Sequence, residues 1–153
     1  MFKLVTKFSL CLIILLLISC NHESMESEFF DWETFDYDKL YNYSLEDQFK
    51  IFIYGNQTIH PSMTDLVIPI AKRGKPALDY VLNQIRESND DLDYRDSIVI
   101  FWAMEKGGYY SVCSDTPALK EIKANENKIK FLGWRKVYHN KLQNLCVERQ
   151  SDG

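Results

Sequence analysis

The clearest signal for the fold class is residues 75–88, which read KPALDYVLNQIRES. Apolar residues recur there at intervals of three and four, the spacing that places them on one face of a helix. These residues are Ala77, Leu78, Val81, Leu82 and Ile85. Pro76 suits the first turn of a helix, where a missing N–H costs no hydrogen bond. The stretch therefore predicts an amphipathic α-helix with one face in a core.

The same spacing recurs along the chain and predicts five further helices. They are expected near residues 45–55, 62–73, 94–106, from 116 onward, and 131–147. In the predicted helices near 45–55, 94–106 and 131–147, the residues expected to face inward are Leu45, Phe49, Phe52, Ile53, Tyr94, Ile98, Phe101, Trp102, Phe131, Trp134, Tyr138, Leu142 and Leu145. Alternation with a period of two is nearly absent. We therefore predict an all-α fold, a small irregular bundle of about five to six helices.

Residues 62–88 combine two of these helices with a tight turn. Pro69 should kink the first helix, and Gly74 lies in the turn before the second. This arrangement resembles one HEAT-type helical repeat over about 27 residues, without a clear second copy 40 residues away. The resemblance implies a HEAT-like bundle with a protein-binding surface and no catalysis.

Composition limits the protein to one compact domain with a real core. The chain has 153 residues, of which 46% are hydrophobic and 14% aromatic. Six glycines and four prolines are too few for a turn-rich β-sandwich. The formal net charge of −4 argues against a nucleic-acid partner, because such proteins normally carry a basic surplus.

The N-terminus has the pattern of an export signal. Lys3 and Lys7 precede nine consecutive apolar residues at 10–18, a run too short to span a bilayer core of ~30 Å. The run ends in Leu17-Ile18-Ser19-Cys20. This tetrapeptide resembles the lipobox of bacterial lipoproteins, although an ordinary cleaved signal with a coincidental cysteine is the alternative.

The resemblance implies a lipid anchor on Cys20. In that family the signal peptide, here residues 1–19, is removed, and the thiol of the new first residue is acylated, as with palmitate. Several acyl chains bind a bilayer persistently, whereas one binds it only marginally. The expected location is the bacterial cell envelope. Asn21 stands where an aspartate would resemble an inner-membrane retention signal, which favours the outer membrane facing the periplasm.

Residues 20–38 are predicted to form an acidic tether before a helical domain at 39–150. Residues 21–38 contain seven carboxylates and no basic residue. Aromatic residues are interleaved, which is unusual for a pure linker. They are Phe29, Phe30, Trp32, Phe35 and Tyr37. These side chains either dock on the helical body or bind a partner.

Two cysteines remain in the expected mature domain, Cys113 and Cys146. In an oxidising compartment an even pair usually forms a disulfide, which here would fix the last helix to the body. Two buried thiols are the alternative.

Charge is distributed unevenly along the chain. Residues 20–117 contain 8 basic and 18 acidic side chains, whereas residues 118–153 contain 8 basic and 4 acidic ones. The basic C-terminal region could meet an acidic partner or lipid headgroups. Scattered, solvated lysines on amphipathic helices are the alternative.

Motifs for catalysis, cofactors and metals are lacking. The histidines have no metal-ligand spacing, and no glycine-rich phosphate loop is present. The acidic run at 89–96 lacks the glycine and glutamate of a calcium loop and is expected to cap a helix. We therefore expect a non-enzymatic module, such as an inhibitor or immunity protein, that binds an envelope protein. The alternative is an envelope hydrolase using groove carboxylates such as Glu46, Asp47 or Glu105.

Overall fold

The computed structural model describes residues 24–147, so the predicted signal peptide and Cys20 lie outside the described residues. The described part is helical and contains no strand, which confirms the all-α prediction. The α-helices are α1 (Met25–Phe29), α2 (Leu45–Gln57), α3 (Val67–Ala71), α4 (Lys75–Glu87), α5 (Asp91–Lys106), α6 (Thr116–Asn125) and α7 (Leu132–Gln143). Short 3-10 turns lie at Tyr37–Asn42, Thr64–Leu66, Val112–Ser114 and Glu126–Lys128. None of these helices has the length and apolar character needed to cross a membrane.

Helix α5 is the centre of the bundle. It packs against α2, α3, α4 and α7. Its fully or almost fully buried apolar residues surround much of its circumference, as expected for a helix with neighbours on several sides. They are Tyr94, Ile98, Ile100, Phe101, Ala103 and Met104. The helix starts at Asp91, earlier than predicted, because the side chain of Asp90 accepts the N–H of Leu92 as an N-cap.

Helix α2 buries Phe52 as predicted, but its buried face is otherwise different from the predicted one. Its N-cap is Ser44, whose hydroxyl accepts the N–H of Asp47 at 3.1 Å. Its buried residues are Gln48, Ile51, Phe52, Gly55 and Asn56. The predicted residues Leu45, Phe49 and Ile53 are only half-buried. The helix carries two apolar stripes, and the stripe that includes Gly55 lies closest to its neighbours.

Gly55 permits a close helix contact. It does not end α2, although the predicted helix stops at residue 55. A Cβ atom there would lie 2.6 Å from the Phe30 ring and 2.7 Å from the Leu66 side chain. A glycine therefore lets the residues after α1 approach α2 directly. The helix continues to Gln57.

The predicted kinked helix at 62–73 is instead a 3-10 turn followed by the short α3. Pro69 lacks an N–H and leaves the carbonyl of Asp65 without its helical partner. The Tyr37 hydroxyl donates to that carbonyl at 2.7 Å. Burial raises the pKa of Tyr37 to about 12, so the hydroxyl keeps the proton that it donates. Whether this region belongs to a HEAT-type repeat stays a prediction.

Much of the segment assigned to the tether is packed on the bundle. Phe29 is 5% exposed and makes edge-to-face contacts with Phe30, Phe35 and Tyr43. Trp32 differs, with 85% of its surface exposed. The packed body therefore begins at α1, and Phe29, Phe30 and Phe35 are docked on it or on one another.

Helix α7 differs from its prediction at both ends. Tyr138 and Leu145 are buried as expected, but Phe131 is 59% exposed. The helix begins one residue later, at Leu132, and Phe131 has an extended backbone. Phe131 therefore lies outside the helical periodicity that predicted an inward position. The helix also ends earlier, at Gln143.

Candidate functional site

A surface groove of about 490 Å³ lies between α1, α2 and α4, beside the start of α5. We call it the α2–α4 groove. Most of its lining comes from the second apolar stripe of α2 and from outward residues of α4. The lining residues are Glu26, Glu46, Phe49, Lys50, Ile53, Tyr54, Gln57, Thr58, Tyr80, Gln84 and Asp93.

Aromatic contacts hold the walls of the α2–α4 groove. Phe49 of α2 packs edge-to-face against Tyr80 of α4, with ring centroids 5.6 Å apart. Tyr54 stacks on Phe30 at the same centroid separation. Phe30 directly follows α1, so the docked N-terminal segment supports one wall. Such pairs contribute about 0.5–1.5 kcal/mol beyond the burial of their area.

Among the charged residues that line the groove, carboxylates outnumber cations, and we call these carboxylates its acidic rim. Carboxylates come from three elements, with Glu26 on α1, Glu46 on α2 and Asp93 on α5. One cation, Lys50, also lines the groove, and its ammonium group lies 2.7 Å from Glu46. The Ser88 hydroxyl donates to Asp93 at 2.6 Å. The lining of the groove therefore combines apolar and aromatic side chains with an excess of negative charge.

A buried polar network lies behind the groove and centres on Asp96, which has no exposed surface. Its carboxylate accepts hydrogen bonds from Asn56 Nδ2 at 2.6 Å and Gln57 Nε2 at 2.8 Å. Arg95 Nε donates to it at 2.6 Å. Burial raises the pKa of Asp96, and these donors oppose that shift. Because Gln57 also lines the groove, the network fixes the groove wall to α5.

Asp96 is a core residue that the sequence analysis above does not single out. The acidic run at 89–96 is predicted to cap a helix, which is correct for Asp90. A signal was present, because Asp96, Ile100 and Ala103 are spaced by four and three residues and lie on one buried stripe.

Of the three carboxylates named for a hydrolase, Glu46 lines the α2–α4 groove and the other two do not. Asp47 accepts the Ser44 hydroxyl at 2.6 Å, at the start of α2. Glu105 accepts the N–H of Cys113 at 2.9 Å, near the other end of α5. Within residues 24–147 no group of three or more His, Cys, Asp or Glu side chains is placed to hold a metal ion.

The predicted partner-binding aromatics are divided by the fold. Phe29 and Phe30 contribute to the body, and the Tyr37 hydroxyl binds the Asp65 carbonyl. Phe35 is 38% exposed and stacks on Phe30, which leaves Trp32 as the widely exposed member of the set.

Cys113 and Cys146 form a disulfide, with their sulfur atoms 2.01 Å apart. The bond joins the 3-10 turn after α5 to the segment after α7. It closes a loop with a sequence separation of 33 residues.

No protein-family model matches this chain, and no curated protein or solved structure matches it significantly.

Proposed function

We propose that this chain is a lipid-anchored protein of the bacterial envelope whose helical domain binds a segment of another envelope protein, without catalysis. The observation that supports this proposal is the α2–α4 groove, an open, aromatic-walled surface with an acidic rim.

The groove suits a polypeptide segment that carries lysine or arginine beside apolar residues. Apolar side chains would bury area against Phe49, Ile53 and Tyr80, and interface cores are typically enriched in aromatic residues. The cationic side chain would meet the carboxylates of Glu26, Glu46 and Asp93 at the rim. It could also lie over a tyrosine face, where a cation–π contact contributes about 0.5–2 kcal/mol.

The predicted anchor would hold the groove close to the membrane. Ser24, the N-cap of α1, is four residues after Cys20. Four extended residues span at most about 14 Å. Because Phe29 is fixed in the core, the remaining tether is short, and a partner must be reached at the membrane surface.

The test uses a photoreactive amino acid at Gln84, an exposed residue of the groove, in the full chain exported to the envelope. We expect a protein adduct whose crosslinked segment contains basic and apolar residues. Glu46→Lys should reduce the adduct about tenfold, since it reverses a rim charge. Glu87→Lys is the matched control, because Glu87 is exposed on α4 but does not line the groove.

The same material tests the anchor and the alternative. Labelling with a palmitate analogue should be lost in Cys20→Ser, and adduct formation should fall with it. Equal adducts in Glu46→Lys and Glu87→Lys would contradict the proposed groove. Hydrolysis of peptidoglycan or esters that Glu46→Gln abolishes would replace the binding proposal with the hydrolase.

A further inference from the structure

Large apolar side chains are exposed beside lysines where α7 begins. Leu132 is 74% exposed and Phe131 is 59% exposed, although both are at the start of a helix packed on α5. Lys128, Lys130 and Lys136 are exposed around them. We call these five residues the α7 edge.

Acidic groups nearby in residues 24–147 offset part of this positive charge but form no ion pair with the three lysines. The Asp91 carboxylate accepts the N–H groups of Lys130 and Phe131, at 3.0 and 2.6 Å. Glu126 accepts a hydrogen bond from His139 Nδ1, on α7, at 3.0 Å. Lys130 and Lys136 form no ion pair within the described chain.

We propose that the α7 edge docks on the anionic surface of a lipid bilayer. Phe131 and Leu132 would enter the boundary between headgroups and acyl chains, where exposed apolar side chains beside basic residues bind. Lys128, Lys130 and Lys136 would lie among anionic headgroups. Each lysine near such a surface increases binding about fivefold at physiological ionic strength.

Charge complementarity favours a bilayer over an acidic protein at this edge. The surface consists of a helix start with two widely exposed apolar side chains among three exposed lysines. A bilayer offers continuous negative charge above an apolar layer and needs no matching pocket. An acidic protein partner would need a concave apolar site for Phe131 and Leu132, and it is one outcome of the test below.

The position of the edge agrees with the predicted anchor. Asp91 binds the backbone at Phe131, and Asp93, two residues later on α5, lines the groove together with Glu26 of α1. The start of α1 and the α7 edge are therefore close to the same end of α5. In this respect the inference rests on the proposed anchor, but the chemistry of the edge does not depend on it.

The experiment uses the purified full chain with Cys20→Ser, so that no lipid is attached. A photoreactive amino acid replaces Phe131, and the chain is added to phosphatidylcholine vesicles with or without phosphatidylglycerol. We expect lipid adducts at position 131 in the anionic vesicles and far fewer in the neutral ones. Lys130→Glu with Lys136→Glu should reduce adducts roughly 30-fold, from about fivefold per lysine.

Matched probes separate this edge from nonspecific attachment through residues 1–19. A probe at Trp32, which is more exposed but surrounded by acidic residues, should give few lipid adducts. Circular dichroism on each variant verifies folding. Equal lipid adducts at positions 32 and 131, or adducts insensitive to phosphatidylglycerol, would overturn the proposal.

A specific protein adduct at position 131 in native envelopes, with no lipid adduct in vesicles, would also overturn it in favour of an acidic partner. Because the vesicle assay contains neither the anchor nor the groove's partner, its failure is distinct from failure of the proposed function.

Discussion

The α2–α4 groove and the α7 edge both expose aromatic side chains, but their charges are opposite. The groove places Phe49 and Tyr80 under a rim of carboxylates, whereas the edge places Phe131 among lysines. Exposed apolar area alone indicates only that something binds. The surrounding charge identifies the class of occupant, which we infer to be a cationic peptide segment for the groove and an anionic lipid surface for the edge.

Helix α5 joins these two regions through carboxylates with opposite pKa shifts. Asp96 holds α2, and burial raises its pKa. Asp91 holds the start of α7, and the backbone N–H groups of Lys130 and Phe131 lower its pKa. Variants of these residues can therefore loosen the groove or the edge separately.

The largest expected effect is that of Asp96→Ala. It leaves Arg95 and the amides of Asn56 and Gln57 without their common acceptor in a buried site. We expect the free energy of unfolding to fall by about 3–5 kcal/mol in urea titrations. Asp79→Ala, which removes an exposed partner of Lys75, should cost less than about 1 kcal/mol. A loss below about 1 kcal/mol at Asp96 would show that the network does not hold α2 to α5.

Removing the disulfide should loosen the C-terminal region more than the groove. Cys113→Ala with Cys146→Ala removes the cross-link between two residues separated by 33 positions. We expect the free energy of unfolding to fall by about 3–4 kcal/mol, because the unfolded chain regains the entropy that the closed loop withheld. Hydrogen exchange should increase first in the segment after α7 and in the turn Val112–Ser114. Faster exchange in α2 before α7 would contradict this division of the molecule.

Gly55→Ala should disturb the groove and leave the α7 edge unchanged. The added Cβ would overlap the Phe30 ring and the Leu66 side chain, so that α1 moves away from α2. We expect a loss of about 1–2 kcal/mol, with increased hydrogen exchange in α1. Gly108→Ala is the control variant. It strains the backbone, because Gly108 has φ +69°, but nothing lies within 4 Å of its Cβ position, so hydrogen exchange in α1 should be unaffected.

The smallest expected effect is an opposite pH dependence of the contributions that Asp96 and Asp91 make to the free energy of unfolding. Because the folded-state pKa of Asp96 is raised, the contribution of its carboxyl to the stability of the fold is fully present below about pH 3.8, the ordinary pKa of an aspartate. That contribution is lost as pH rises through the folded-state pKa. The lowered pKa of Asp91 means that its contribution is present above about pH 3.8 and is lost as pH falls through the folded-state pKa.

Urea titrations between about pH 3 and pH 7 measure this difference in sign. The stability difference between the parent chain and Asp96→Asn should shrink as pH rises. The corresponding difference for Asp91→Asn should shrink as pH falls. Parallel slopes for the two variants would contradict the assigned environments of the carboxyls.

Strongly periodic helices were predictable from the sequence. All five predicted inward residues of α4 are buried, because that helix has a single apolar stripe. Helix α2 has two apolar stripes, and periodicity alone does not decide which one faces the core. The predicted inward set therefore combines Phe52, which is buried, with Phe49 and Ile53, which line the groove. Asp96 and Tyr37 form contacts with residues 40 and 28 positions away, which no local pattern encodes. The lipid anchor, which depends on Cys20, stays a prediction.

The most direct test compares photoreactive probes at Gln84 and Phe131 in the same full chain, exported and anchored in living cells. The account predicts a protein adduct at position 84 that Glu46→Lys weakens, and a lipid adduct at position 131 that Lys130→Glu with Lys136→Glu weakens. The same class of adduct at both positions, or lipid at 84 and protein at 131, would contradict the assignment of partners by charge.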